Sequence, residues 1–271
     1  MSNRMNVNTT LSKTVIISGA SSGIGLVTSK LFLERGWRVF DLSRRGSNLP
    51  GIRHVYCDFS EDKRCEAAIE QVVREAGHID VCICNAGMGI SGAVEFTNIA
   101  DAKHLMDVNF FGVLRLVQAV LPIMRAHRSG KIIFTSSMAA ILPVPYQALY
   151  SASKAAVNAL ALSLQNEVRA YGIRIACLLP GDVHTNFTEA RKKSSNGGEI
   201  YTKMNKAVEK MEKDELNGIE ADKMAHYLLK IAQQNKPWVF YIYGCQYRFF
   251  YFLHRALPTS LVNWLEGKVY D

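Results

Sequence analysis

Tyr150-Ser151-Ala152-Ser153-Lys154 sets a phenol and an ammonium four residues apart, and on a helix that spacing puts both on one face. A phenol titrates near 10 in water and carries protons poorly at neutrality. A cation beside it favours the phenolate, so the pair predicts a Tyr150 drawn down toward the range useful for general acid–base chemistry. Taken alone, Y-x-x-x-K is more commonly a surface tyrosine beside a solvated lysine. A second group of residues, Gly19-Ala20-Ser21-Ser22-Gly23-Ile24-Gly25, follows an apolar run. It offers a tight turn, no bulky side chains and the start of a helix, which together suit a pyrophosphate. The same residues also read G-x-S-x-G, with Ser21 as a hydrolase nucleophile. Such an elbow normally lies deeper in a chain, and no oxyanion-type glycine motif precedes this one.

Both groups need elements to hold them, and apolar runs alternate with helical patterns along the chain. Strands are expected at Thr14–Ser18, Arg38–Leu42, Arg53–Cys57, Val81–Cys84, Lys131–Ser136, Ile173–Leu179 and Trp238–Tyr243. Helices are expected at Gly23–Arg35, Glu61–Ala76, Asp101–Ala126 and Tyr150–Ala170. This order predicts a single-domain α/β fold, a doubly wound parallel sheet (Rossmann fold) of about seven strands with helices on both faces. Ligands in such folds bind at the carboxyl ends of the strands, where both groups fall. The core is expected over residues 13–243, after a poorly ordered stretch 1–12 and before an aromatic-basic extension 244–271.

Net charge is +8, from 32 Lys and Arg against 24 Asp and Glu, which suits an anionic partner. The basic residues are scattered and no nucleic-acid signature accompanies them, so nucleic acid is not expected. The six cysteines show neither C-x-x-C pairs nor histidines at zinc spacing, so no metal site or disulfide framework is expected. Cys82 and Cys84 read as buried small side chains on a strand. The reading is a cytoplasmic protein, without a signal peptide or an apolar run long enough to span a membrane.

With Cys84-Asn85-Ala86-Gly87, Ser136-Ser137 and Pro180-Gly181 with Thr185 added, the chain resembles the short-chain dehydrogenase/reductase family over about residues 13–243. The resemblance implies an NADPH-dependent oxidoreductase, a carbonyl reductase or alcohol dehydrogenase, moving hydride between the nicotinamide and a carbonyl or alcohol carbon. It makes Tyr150 the acid–base group and Ser137 the hydrogen-bond donor to the substrate oxygen. Lys154 would tune Tyr150 and hold the ribose, and Asn109 would support a water linking Lys154 to solvent. Cofactor contacts are implied for Gly19, Ser21, Ser22, Gly23, Ile24, Gly25, Asn85, Ala86, Gly87, Pro180, Gly181, Val183 and Thr185. Asp58, with Phe59 beside it, would accept from the adenine amine, or else cap the helix that follows.

NAD-dependent relatives place a carboxylate where Ser43 stands. Serine there, followed by Arg44, favours NADP(H) over NAD(H), because a guanidinium bonds a 2′-phosphate strongly. Asp41 lies two residues too early to compete. Met88–Val94, Met138–Leu149 and the loop after Pro180 should line the substrate pocket, and the polar segment at about 185–215 reads as a lid. The tail after Tyr243 reads either as a helix packed on the core or another subunit, or as a greasy, basic lip meeting lipid. The latter suits a hydrophobic ketone or alcohol. By resemblance, the chain forms a homodimer or homotetramer. The rival readings are a catalytically silent nucleotide-binding scaffold and a serine hydrolase using Ser21.

Overall fold

The computed structural model describes residues 12–270, so the expectation for residues 1–12 falls almost wholly outside the described part. Seven parallel strands form the main sheet: β1 (Thr14–Ser18), β2 (Arg38–Ser43), β3 (Arg53–Tyr56), β4 (Val81–Cys84), β5 (Gly130–Thr135), β6 (Ile173–Leu179) and β7 (Phe240–Ile242). Their spatial order is β7-β6-β5-β4-β1-β2-β3, so the winding reverses between β1 and β4. Strands buried on both faces read as continuous apolar runs, as Val15, Ile16 and Ile17 do in β1.

Period-two alternation sends these side chains to two cores. Ile16, Phe40, Cys82, Cys84, Phe134 and Cys177 point one way. There they meet α2 (Arg64–Ala76), α4 (Gly112–Ala126) and α5 (Ala148–Val168). Val15, Ile17, Val39, Ile83, Ile133 and Leu178 point the other way, against α1 (Gly23–Glu34) and α8 (Ala221–Gln233). The buried, small-side-chain reading of Cys82 and Cys84 holds; their Sγ atoms lie 3.8 Å apart on one face.

Two expected helices differ in detail. The stretch expected at Asp101–Ala126 is α3 (Ile99–Met106) and α4 joined by one π-helical turn, Asp107–Phe111. The turn forms where Asn109 is drawn aside to bond the backbone of Met88. By length and composition Ile99–Ala126 could cross a bilayer, contrary to the sequence reading. In the fold it covers the sheet through Leu116, Val117, Val120 and Met124, and Leu105 is fully buried. The helix expected from Glu61 begins at Arg64, because Asp58 accepts from Ser60 N and Ser60 Oγ at 3.0 and 2.7 Å, closing a separate turn. The helix-cap role weighed for Asp58 is thus replaced by an Asx turn.

The segment read as a lid carries two helices, α6 (Phe187–Ala190) and α7 (Met204–Leu216). Short strand pairs join Ile90–Ser91 to Lys192–Lys193 and Val183–His184 to Ile219–Glu220. After β7 the chain forms a hairpin of α9 (Cys245–Ala256) and α10 (Thr259–Val269).

Candidate active site

The two carboxyl-terminal ends that flank the winding reversal are tied to each other. Ser18 Oγ, closing β1, accepts from Asn85 N at 2.8 Å and Ala86 N at 2.9 Å. Asn85 Nδ2 donates back to Ser18 O at 3.2 Å. Asn85 therefore braces the glycine turn as well as lining the site. A Cβ on Gly25 would lie 2.4 Å from Gly19 O and 2.7 Å from Asn85 Nδ2, so only glycine lets α1 start this close to β1. Ser22 at the N-cap makes no side-chain cap, which leaves first-turn N–H groups for an anion. These features fit a dinucleotide pyrophosphate.

A cavity of about 1570 Å³ opens there. It is lined by every cofactor residue expected from sequence except Gly25, which lies under the turn, and by Ser137. Ser43 is the last residue of β2 and Arg44 the first beyond it, both in the wall, whereas Asp41 is fully buried inside the strand. Ser43 Oγ accepts from Gly46 N at 3.0 Å, holding the loop that carries Arg44 and Arg45. The Asp58 carboxyl is penalised by burial, yet the Ser60 bonds and the Arg44 charge bring it below its ordinary value.

Tyr150 lies in the first turn of α5, with Lys154 one turn on and buried beneath it. Lys154 Nζ donates to Thr135 O at 2.9 Å and stands 5.8 Å from the centre of the Tyr150 ring. Burial pushes Lys154 down to about 8. Burial likewise pushes Tyr150 up, to about 12, with the Ser137 hydrogen bond lowering it, Glu215 raising it and Arg191 lowering it. The expectation of a Tyr150 drawn down by Lys154 is therefore corrected: burial, aided by the Glu215 charge, outweighs the Ser137 hydrogen bond and the Arg191 charge. Ser137 also accepts from Ala139 N at 3.1 Å, so it is both a cap and a site group. Ser136 donates to Lys154 O at 3.3 Å, a structural role. Asn109 is buried outside the cavity, with Nδ2 donating to Met88 O at 2.9 Å and Ser153 Oγ at 3.1 Å. It holds the loop after β4 at Met88, next to Gly87, where a Cβ would lie 3.5 Å from Lys154 Nζ.

Ser21 belongs to this turn, while His184 faces Glu220 at 3.9 Å and His226 Nδ1 sits 2.8 Å from Asp222 O.

Sequence reasoning missed the far wall. Arg191, its side chain fully buried, pairs with Glu215, which also accepts from Thr188 Oγ1 at 2.6 Å. Arg191 lies over the Phe187 ring at 5.7 Å, and Phe187 packs against Tyr150 at 5.6 Å. From the hairpin, Tyr247 OH donates to Asp182 Oδ2 at 2.8 Å and accepts from Asp182 N at 2.9 Å. The Tyr247 ring covers Gly181, where a Cβ would lie 2.0 Å from its Cζ. No local pattern in the sequence marks either contact, since each joins segments remote along the chain.

A glycine-turned nucleotide cradle facing a Ser–Tyr–Lys group defines a nicotinamide-dependent oxidoreductase. The family described as short chain dehydrogenase matches residues 13–196, and the chain belongs to it. It is 38% identical over 227 residues to a 3-ketodihydrosphingosine reductase of Bacteroides thetaiotaomicron, covering 82% of this chain and 84% of that one. A solved short-chain dehydrogenase from Streptomyces avermitilis superposes with a TM-score of 0.82 at 25% identity, covering 95% and 97% of the two chains. One from Burkholderia phymatum, in complex with NAD, gives 0.78 at 20% identity, covering 90% and 95%. The protein is thus an NAD(P)-dependent dehydrogenase/reductase acting on CH–OH groups.

Proposed function

We propose that the protein is an NADPH-dependent reductase of a long-chain ketone bearing an amine near the carbonyl. The observation that carries this is the composition of the cavity beyond Tyr150. Leu142, Val144, Phe250, Leu253, Leu257 and Val262 make an apolar wall, and Asp182 and Glu266 stand on it. Burial raises both carboxyls above their ordinary values, and the Asp182 charge raises Glu266 further. A cationic amine would relieve that strain, and an acyl chain would fill the wall. The name of the Bacteroides relative fits the same chemistry. The test is turnover of 3-ketodihydrosphingosine with NADPH beside a chain-matched ketone without the amine. Equal or absent turnover of the amino ketone would remove the reading.

In this reading Tyr150 gives its proton to the substrate oxygen, and Ser137 donates a hydrogen bond to it as charge develops. The bound nicotinamide supplies the hydride. Lys154 holds the ribose and its charge supports the departing proton. Its ammonium is present below about pH 8 and lost as pH rises through that value, while Tyr150 stays protonated to about 12. The kcat/KM for reduction is therefore expected to be level below pH 8 and to fall above it. The step should vanish in Lys154→Met, and a step that survives this change would belong to another group.

NADPH preference rests on Ser43 and Arg44. Arg44→Leu is expected to raise the NADPH KM by roughly tenfold to a hundredfold, the value of a charged hydrogen bond, with NADH little changed. Equal loss with both cofactors would argue against a 2′-phosphate contact. We further propose that copies pair through the helices carrying Asn109 and Tyr150, where Phe111 and Leu162 are exposed. The six thiols, all free, suit a reducing cytoplasm.

A further inference from the structure

The hairpin of α9 and α10 has two apolar sides, and only one of them faces the cavity. Tyr247, Phe250, Leu253, Leu257 and Val262 line the site. Phe249, Phe252, Leu261 and Trp264 do not; they are 56%, 64%, 41% and 58% exposed. Phe249 and Phe252 are one turn apart on α9, and Leu261 and Trp264 one turn apart on α10. Neither helix contains a fully buried residue. Arg248 and Arg255 are exposed on α9 and lie outside the cavity. The one carboxylate in residues 244–270, Glu266, lines the cavity, as does Lys268.

From this arrangement we propose that the outer side of the hairpin docks on an anionic lipid bilayer. Aromatic side chains flanked by cations, with no acid between them, match the interface of a negatively charged membrane. A second copy of the chain would cover the apolar side but would bring the two sets of cations together, so it is the poorer match. The docking stands on the hairpin alone. Its consequence, that a long-chain ketone reaches the cavity from the bilayer past the same helices, rests on the substrate reading above.

The test is cosedimentation of the full chain with vesicles of phosphatidylcholine, with and without about one-third phosphatidylglycerol, at low and high salt. Binding is expected to the anionic vesicles at low salt and to weaken strongly at high salt. Arg255→Gln should lower partitioning about fivefold. Phe252→Ser combined with Trp264→Ser should lower it at least tenfold, roughly the loss expected when two large apolar groups no longer enter the bilayer. Turnover of a water-soluble carbonyl with NADPH should stay unchanged in both variants, because none of these side chains lines the site. Failure of the wild-type chain to bind anionic vesicles would overturn the proposal. So would undiminished binding by the double variant, or loss in that variant of a dimer that the wild-type chain forms. Should the double variant not fold, Arg255→Gln and the salt dependence decide the question alone.

Discussion

Tyr150→Phe is expected to lower turnover by about 10²–10⁴-fold, the usual worth of a positioned general acid, while NADPH binding persists. The ring that remains still packs against Phe187, 5.6 Å away, so the pocket keeps its shape. What is lost is the only atom of this side chain able to give a proton to the substrate oxygen. Burial holds that proton on the phenol to about pH 12, which suits a group that must arrive protonated for reduction. For the reverse reaction the same group must accept a proton, and its raised pKa makes the free phenolate scarce at neutrality. Steady-state rates with a fluorescence titration of NADPH check the prediction. A variant with full turnover would take Tyr150 out of the proton transfer, and a variant that no longer binds NADPH would make its role structural.

Arg191→Met is expected to destabilise the fold by about 3–5 kcal/mol, the cost of leaving one partner of a buried ion pair behind. The Arg191 side chain is fully buried and Glu215 nearly so. Glu215 retains some contact with water, which places the effect toward the lower end. The pair joins the segment after α6 to the end of α7, and its two charges act on Tyr150 in opposite directions. Without Arg191 the Glu215 charge would act alone and push the Tyr150 pKa higher. Denaturant unfolding measures the loss, and Arg191→Met with Glu215→Gln should recover most of it, because no bare charge is then left. A single variant as stable as the wild type would show that other contacts hold this wall.

The site was legible where it is built from short, local patterns. The glycine turn, Asn85-Ala86-Gly87, Ser137, Tyr150 and Lys154 each follow a strand or open a helix, and they meet because parallel strands end on one side of the sheet. The Ser43–Arg44 register was legible too: Asp41 shares a face with Ser43, but it lies two residues before the strand ends and so stays inside it. Less visible was the state of the pair at the centre. Spacing suggested a lysine pulling the tyrosine down, but the direction is set by how much protein surrounds both groups, and that is a property of the assembled core.

The sequence by itself determined a parallel sheet of seven strands, through apolar runs that must be buried on both faces, and the short motifs that gather where those strands end. Tertiary structure alone decided the far wall. Arg191 finds Glu215 across 24 positions and Tyr247 finds Asp182 across 65. Such contacts leave no periodic trace, because each is made by chain segments that only the finished fold brings together. The hairpin shows the same division. Its aromatic and basic character was plain in the sequence, but which side faces the cavity and which faces outward depended on how the two helices came to rest over Gly181.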